Sequence, residues 1–186
     1  MIRTAIIPAL TVRLRPSDRP ALLRHFLALD SEDRRLRFGT PLHDESIAAY
    51  VERIDFVHDG VLAVHDDALE LLAVVHVACS DEKAELGLSV LPAYRNMGMG
   101  SALTEHAVMH LRNRNMTQAF VHCLSENGAM MHIARKLGMA VEPCGAETDA
   151  HIRLAPPTPQ TFFSEWLHDR NGEMVRYFAA FAKSPA

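Results

Sequence analysis

The sequence predicts an α/β protein with a central, mixed but mostly antiparallel sheet that is flanked by helices, followed by a C-terminal helical appendage. Three observations support this prediction. Segments with strand alternation interleave with segments of helical spacing, turn residues separate them, and 48% of the 186 residues are hydrophobic. A chain of this length and composition can bury a single core, so we expect one main domain.

The first part of the chain predicts a strand followed by two helices. Residues 10–15 alternate apolar and polar side chains, as a half-buried strand does. Residues 16–18 (Pro-Ser-Asp) supply a turn and a helix cap, so a helix is expected over residues 21–29. Residues 44–54 carry apolar side chains at helical spacing after an acidic first turn, which predicts the second helix.

A hairpin, a third neighbouring strand and a longer helix come next. Residues 61–65 and 69–79 are rich in Val and Leu, and two aspartates between them indicate a turn. Residues 85–90 are expected to pair beside this hairpin. Beyond them, apolar residues recur at helical spacing, which predicts a helix over about residues 98–114.

The last part predicts a strand over residues 118–124 and a helix over residues 126–137, which ends at Gly138, a usual C-terminal cap. Residues 139–141 and 151–154 are expected to form a final strand pair, with residues 144–150 as the connection. A proline-rich segment over residues 156–159 then ends the main domain, which we place at residues 1–155.

The C-terminal extension, residues 156–186, concentrates aromatic side chains on a helical pattern that Asn171 and Gly172 interrupt. It is too short to form a domain of its own. An exposed helix with so many aromatic residues would leave a large apolar patch, so it must pack on this chain or on a second copy. We expect a homodimer, since two-fold dimers are the commonest assembly.

Composition excludes several classes of function. A net charge of -4 argues against a nucleic-acid partner, because such binding depends on clustered Lys and Arg. The basic run at Arg34, Arg35 and Arg37 lies among acidic residues and is interpreted as a solvated, mixed-charge surface. No segment approaches the length of a membrane span, and the three cysteines show no CxxC pair. A cytoplasmic protein without a membrane partner is expected.

The segment with the clearest chemistry is a strand, a loop with two glycines and a helix that begins at the second glycine, over residues 85–102. Glycines let the backbone approach a phosphate, and the free N–H groups and dipole of a helix N-terminus favour negative charge. Two better-known phosphate loops do not fit, since Gly98 and Gly100 are followed by neither Gly-Lys-Ser/Thr nor a third glycine. The loop therefore predicts a pyrophosphate site of another kind.

The order Arg95-x-x-Gly98-x-Gly100 after a strand resembles the acetyl-CoA signature of the GCN5-related N-acetyltransferase (GNAT) family. A second stretch, from Asn127 to the Lys-Leu-Gly138 sequence, is similar to the second motif of that family, and the predicted order of elements agrees over about residues 10–154. Residues 31–38 (SEDRRLRF) and 123–127 (CLSEN) also look like the acetyltransferase module of the bacterial protein-lysine acetyltransferases called Pat.

The resemblance implies a GNAT fold and acetyl-CoA as cosubstrate, held without a metal. Residues 88–90 would bind the pantetheine arm through their backbone, and Arg95 and the glycine loop would hold the pyrophosphate. Asn127 would meet the coenzyme or simply cap its helix, since asparagine is a common cap. The expected coenzyme-binding residues are Leu88, Ser89, Val90, Arg95, Asn96, Met97, Gly98, Met99, Gly100, Ser101 and Asn127.

Transfer of an acetyl group to an ammonium requires a base, and the leaving thiolate must be protonated. Glu85 is the candidate base, because Pat-like modules place a catalytic glutamate at the matching Ala-Glu position; the alternative is a solvating charge on a strand. His76, in an apolar strand, is the reserve base, and His122 is expected to be a satisfied core residue like it. Many family members carry a tyrosine where this chain has Ala134, so the usual general acid is missing.

His106 and His110 have a spacing that can grip a metal, but the sequence offers no third ligand, so a solvated helix face is expected. The predicted activity is acetylation of a primary amine, either a protein lysine or a small amine. Two alternatives remain, a non-catalytic acyl-CoA sensor and an interaction protein that uses its aromatic C-terminal segment.

Overall fold

The computed structural model describes the backbone of residues 11–182 and the side chains of residues 11–172 and 174. Its centre is a seven-stranded sheet in the order β1-β2-β3-β4-β5-β7-β6. All neighbours are antiparallel except β4 and β5, which run parallel. The strands are β1 Thr11–Arg13, β2 Gly60–His65, β3 Leu71–Ser80, β4 Lys83–Val90, β5 Gln118–Leu124, β6 Ala140–Cys144 and β7 Glu147–Arg153.

Within residues 11–182, six α-helices pack on this sheet. They are α1 Arg19–Leu27, α2 Ser31–Phe38, α3 Asp44–Arg53, α4 Met99–Asn113, α5 Gly128–Lys136 and α6 Pro159–Ala182. Helices α1 and α3 cover one face of β1 to β3 and bury Leu22, Phe26 and Ile47 there. Helices α4 and α5 cover the opposite face, where Leu103 and Met130 belong to a second core. The fold class predicted from the sequence is confirmed.

The sequence did not predict helix α2. The interpretation of its arginines as a solvated surface was wrong for Arg34, which contacts backbone oxygens, and for Arg37, which lies against Gly87. Asp30 caps the helix by accepting a hydrogen bond of 2.8 Å from the Asp33 backbone, and Gly39 ends it with φ of 77°. Arg34 then donates to the backbone oxygens of Leu27, Leu29 and Leu42. The helix is therefore held by caps and polar contacts, together with Phe38, which packs on the core.

Two further boundaries differ from the prediction. Strands β6 and β7 meet in a tight turn at Gly145 and Ala146, so residues 144–150 are mostly strand rather than a connection. Helix α6 continues through Asn171 and Gly172, because Gly172 lies against β1 and an added Cβ would be 2.9 Å from Val12 Cγ1. The glycine thus permits close packing instead of interrupting the helix. Residue 10, which the sequence placed in the first strand, lies outside the described residues.

Helix α6 packs on β1 and α4 through polar side chains that face the domain. His110 and Asn113 contact the two carboxylate oxygens of Glu165, each at 2.5 Å, and His106 Nδ1 lies 2.5 Å from Thr11 Oγ1. Three of its described aromatic residues face outward, since Phe162, Phe163 and Trp166 are at least half exposed. Within the described range, no helix has the length and apolar character needed to cross a membrane.

Candidate active site

A cleft opens in the middle of the sheet, where two parallel strands part. Strands β4 and β5 pair only from Lys83 to Glu85 on one strand and from Gln118 to Phe120 on the other. Beyond this point a cavity of about 680 Å³ separates the end of β4 from α5 and α2. Because β4 keeps its partner β3 on the other side, its free edge faces the cleft.

The predicted glycine loop forms one end of the cleft. Gly98 has φ of 81°, a conformation that favours glycine, and it directly precedes α4. Gly100 lies in the first turn, where an added Cβ would come within 3.0 Å of Ile133 and 3.1 Å of Leu88. Gly98 thus shapes the turn, whereas Gly100 lets the helix approach β4 and α5. The free N–H groups of the helix start beside the cleft, which is suited to an anion.

Arg95 lies at this end of the cleft, but its guanidinium already has a partner. Nη2 donates to Oδ1 of Asp33 on α2, and Nε donates to the backbone oxygen of Val90 at 3.3 Å. Asp33 is buried, and its other carboxylate oxygen has no hydrogen-bond partner among the described residues. The pair connects the loop to α2, while the Arg95 side chain as a whole remains 45% exposed.

Asn127 caps α5 and also reaches across the cleft. Its side-chain oxygen accepts from the Met130 backbone at 3.1 Å, as the capping interpretation predicts. Its amide nitrogen donates to the Leu36 backbone oxygen at 3.3 Å. The residue therefore ties the start of α5 to the end of α2.

The cleft brings together most, but not all, of the residues that the sequence selected. Met97 and Glu85 do not line it. Ser89 lines it, but its hydroxyl lies 2.8 Å from His25 Nε2, so the side chain is already engaged. The selected residues that line the cleft are Leu88, Ser89, Val90, Arg95, Asn96, Gly98, Met99, Gly100, Ser101 and Asn127.

Sequence reasoning missed the contribution of α2, which lines the cleft with Asp33, Leu36 and Arg37. Helix α5 adds His132 and Ile133 to the same wall. The signal for α2 was present, since Asp30 is followed by an acidic first turn, but a helix with only two apolar residues, Leu36 and Phe38, shows no hydrophobic periodicity. Helix α2 therefore adds one carboxylate and one guanidinium group to the wall of the cleft.

Glu85 lies on β4 at the point where β4 and β5 part, and its side chain is exposed. It is paired across the sheet with Ala78 and Phe120. Ala134, which replaces the family's tyrosine, is fully buried in the core. His132, two residues earlier, is exposed along the cleft. Helix α5 thus presents a histidine to the cleft, and nothing at the usual general-acid position.

His76 is buried next to the candidate base and has partners on both ring nitrogens. Nε2 lies 3.0 Å from Asp59 Oδ2, and Nδ1 lies 2.6 Å from the Tyr50 hydroxyl. Burial lowers the pKa of His76, while the hydrogen bond to Asp59 opposes that shift. The ring is therefore held neutral at physiological pH.

Three histidines differ from the sequence interpretation. His106 and His110 were expected on a solvated face, but they are only 4% and 3% exposed because α6 covers them. Burial lowers the pKa of His106 to about 4, and the neighbouring His168 acts in the same direction. His122 was expected in the core but is exposed, and its hydrogen bond to Asp149 raises its pKa. The strand alternation places His122 on the face of the sheet that carries α1 and α3, but over β5, beyond the strands that these two helices cover.

Comparisons with known proteins agree with this architecture. The family model described as the acetyltransferase (GNAT) domain matches residues 10–140. A search of curated protein sequences gave no match. Among solved structures, the GNAT domain of PAT from S. lividans is similar with a TM-score of 0.67 at 21% identity, covering 77% of this chain and 89% of that one.

Two further similar structures carry descriptive names. Spermidine N-acetyltransferase from Vibrio cholerae, in complex with CoA and spermine, has a TM-score of 0.62 at 17% identity, covering 77% of this chain and 94% of that one. The ribosomal-protein-S18-alanine N-acetyltransferase from Escherichia coli has a TM-score of 0.58 at 17% identity, covering 80% of this chain and 96% of that one. At these identities the likeness concerns the fold.

Proposed function

This chain belongs to the GNAT acetyltransferase family, and we propose that it transfers the acetyl group of acetyl-CoA to a primary amine by direct attack on the thioester. One observation carries the proposal. A helix N-terminus after a glycine turn lies at one end of a cleft, and the free edge of β4 runs along it. Such a cleft offers backbone donors for a pyrophosphate and a strand edge for an amide-bearing arm.

The coenzyme would use these two features separately. The N–H groups at Met99, Gly100 and Ser101 would meet the pyrophosphate, and the backbone of residues 88–90 would meet the pantetheine arm. Arg95 would add a cation at the mouth, with its charge partly offset by Asp33. The hydroxyl of Ser89 is directed to His25, so this residue would contribute through its backbone.

The amine would approach on the face of the sheet that carries Glu85, and Glu85 would accept its proton. The strand register supports this placement, because Glu85 shares one face of the sheet with Phe120, His122 and Asp149, and the side chains of Glu85, His122 and Asp149 are exposed. Carboxylates on an open face favour an amine that arrives as a cation. The acceptor would be a protein lysine or a small amine, and the similar spermidine N-acetyltransferase is named for an acceptor of the second class.

Calorimetric titration with acetyl-CoA tests the coenzyme site. Ser101 is the third residue of α4 and lines the cleft, so an acidic side chain there suits the helix N-terminus but opposes a bound phosphate. We expect stoichiometric binding to the parent protein. We expect Ser101→Glu to weaken it about tenfold or more, the equivalent of about 1.4 kcal/mol.

Ser101→Gln is the matched control, since it has the same size without the charge and should retain most of the affinity. Equal affinity of Ser101→Glu and Ser101→Gln would remove the pyrophosphate from this loop. Release of CoA thiol in the presence of a panel of amines then measures turnover. Tight binding without thiol release for any amine would favour the acyl-CoA sensor over the enzyme.

A further inference from the structure

Arg37 places a positive charge at the inner end of the cleft. Its guanidinium lies against the backbone of Gly87, so closely that a Cβ added there would overlap it. Arg37 lines the cleft, and Gly87 directly precedes Leu88, the first residue of β4 to do so. The glycine loop follows the other end of β4, after Val90. At about 3.3 Å per residue, Arg37 acts roughly 10 Å along the strand from that end.

The guanidinium of Arg37 lies among aromatic rings and not beside a carboxylate. Its Cζ lies 4.8 Å from the ring centroid of Phe38, 5.7 Å from that of Tyr50 and 5.8 Å from that of Phe26. Other arginines near the cleft, Arg35 and Arg95, form ion pairs with carboxylates. Among the described residues, Arg37 forms none, and its buried Nε has no hydrogen-bond partner. In the part of the chain that the structure describes, Arg37 is thus a cation without a carboxylate in contact.

A chain of hydrogen bonds fixes where Arg37 points. Asp59 only accepts hydrogen bonds when ionised, so Nε2 of His76 carries the hydrogen in the 3.0 Å contact between them. Nδ1 of the neutral ring then accepts from the Tyr50 hydroxyl at 2.6 Å. The Tyr50 oxygen in turn accepts from Nη2 of Arg37 at 2.9 Å. Asp59 is itself fixed, because its Oδ1 accepts from the Cys79 backbone at 3.1 Å.

In this chain each hydrogen bond can run in only one direction. The direction of every bond follows from the carboxylate of Asp59, so Tyr50 cannot turn its hydroxyl hydrogen toward Arg37 without losing His76. The guanidinium is consequently preorganised, with its charge beside Gly87 before any ligand binds. Preorganised charge at a reacting centre is a major source of rate enhancement in enzymes.

We propose that Arg37 stabilises the oxyanion that forms when an amine attacks the thioester, and that Tyr50, His76 and Asp59 are its positioning residues. The inference rests on the proposed function, because it requires a thioester at the inner end of the cleft. The pantetheine arm, extended along β4 from the pyrophosphate at the loop, brings its thioester toward Gly87.

The chemistry requires only the two substrates. The nitrogen lone pair forms the N–C bond while the carbonyl π electrons move to oxygen, where the positive charge of Arg37 stabilises them. The C=O bond then re-forms and the C–S bond breaks, releasing the coenzyme as a thiolate. The proton lost by the nitrogen passes to Glu85 or water, and the thiolate takes a proton from water.

Isotope-edited infrared spectroscopy of acetyl-CoA labelled with ¹³C at its carbonyl tests the contact without an acceptor. We expect the carbonyl stretch to move to lower frequency on binding to the parent protein, because a nearby cation polarises the bond. In Arg37→Met most of that shift should disappear, while the affinity for unacetylated CoA stays within about threefold. Removal of one oxyanion-stabilising group typically lowers kcat by about 10²–10³-fold, and we expect a loss in this range.

Arg19→Met is the matched control. Arg19 also lies over an aromatic ring, 4.9 Å from the centroid of Phe56, and donates to the Ile54 backbone at 2.8 Å, but it does not line the cleft. Its loss should leave the carbonyl frequency unchanged. Tyr50→Phe keeps the ring and removes the hydrogen bond to Arg37, and should give a smaller loss of the shift than Arg37→Met.

The outcomes separate the two proposals. If acetyl-CoA does not bind, the proposed function fails. If it binds and its carbonyl stretch in the parent protein equals that in buffer, the role of Arg37 is overturned even if no Arg37 variant folds. A higher acceptor KM in Arg37→Met, with kcat and the carbonyl frequency unchanged, also overturns it and assigns Arg37 to an acidic group on the acceptor.

Discussion

His25 makes the stability of the fold depend on pH. Its ring is 2% exposed, with Nδ1 2.9 Å from the Leu71 backbone oxygen and Nε2 2.8 Å from the Ser89 hydroxyl. Burial lowers its pKa from 6.5 to about 4, with Arg37 acting in the same direction and the Leu71 hydrogen bond opposing. Below pH 6.5 the unfolded chain therefore binds a proton that the folded protein accepts only near pH 4. The contribution of His25 to stability is constant above this window and falls on acidification through it.

The size of the effect follows from the two pKa values. At pH 5 the histidine of the unfolded chain is almost fully protonated and that of the folded protein hardly at all. The free energy of unfolding is therefore about 2 kcal/mol lower at pH 5 than at pH 7 on account of His25. Urea unfolding of the parent protein and His25→Gln, each at pH 7 and pH 5, measures it. The variant should be less stable at pH 7, because Leu71 and Ser89 lose a partner, but should lose about 2 kcal/mol less between the two pH values.

His122, whose pKa is shifted in the opposite direction, provides the control. The hydrogen bond to Asp149 raises the pKa of His122, so its contribution is present below pH 6.5 and is lost as the pH rises through its folded pKa. Removing it by His122→Gln should therefore not reduce the loss on acidification. His106 contributes equally to the parent protein and His25→Gln and cancels between them. An identical loss of stability in these two proteins would refute the reasoning.

Two further predictions concern the candidate base and the appendage. Glu85→Gln should lower kcat by about 10²–10⁴-fold with little change in acetyl-CoA affinity, since Glu85 does not line the cleft; an unchanged pH–rate profile would transfer the role to water, because both ring nitrogens of His76 are engaged. We propose that residues 1–155 form the main domain and that the full chain is a homodimer through the exposed aromatic residues of α6. Truncation after Ala155 should then give a folded monomer with a lower Tm, because it uncovers His110; light scattering that finds a truncated dimer would contradict this.

Local signals were sufficient for the glycine loop and most of the elements. The loop depends on backbone conformation, and Gly98 has the left-handed φ that such turns require. Residues 118–124 were predicted with the bounds of β5, because the segment has strand propensity and clear flanking signals. The cap at Asn127 was likewise visible, since a cap is a contact between near neighbours in sequence.

Features that depend on distant partners were missed. Helix α2 buries Asp33, and periodicity in hydrophobicity does not detect a helix whose buried side chain is charged. The spacing of His106 and His110 was correctly assigned to one helix face, but α6, more than 50 residues later, decides that this face is buried. In the sequence Gly87 is an ordinary strand residue, and only the fold shows that Arg37 lies against it.

The brief pairing of β4 with β5 leaves a strand edge open at the centre of the sheet. Beyond Glu85, the side of β4 toward the cleft has no partner among the described strands. Open edges are where other polypeptides add a strand and aggregation starts. Here α2 and α5 flank the edge, so a thin molecule with its own amide groups can enter where a second chain would collide. The bound coenzyme would occupy the position of an eighth strand. The fraction of β4 amides that exchange more slowly with solvent would then give the fraction of protein molecules that hold coenzyme.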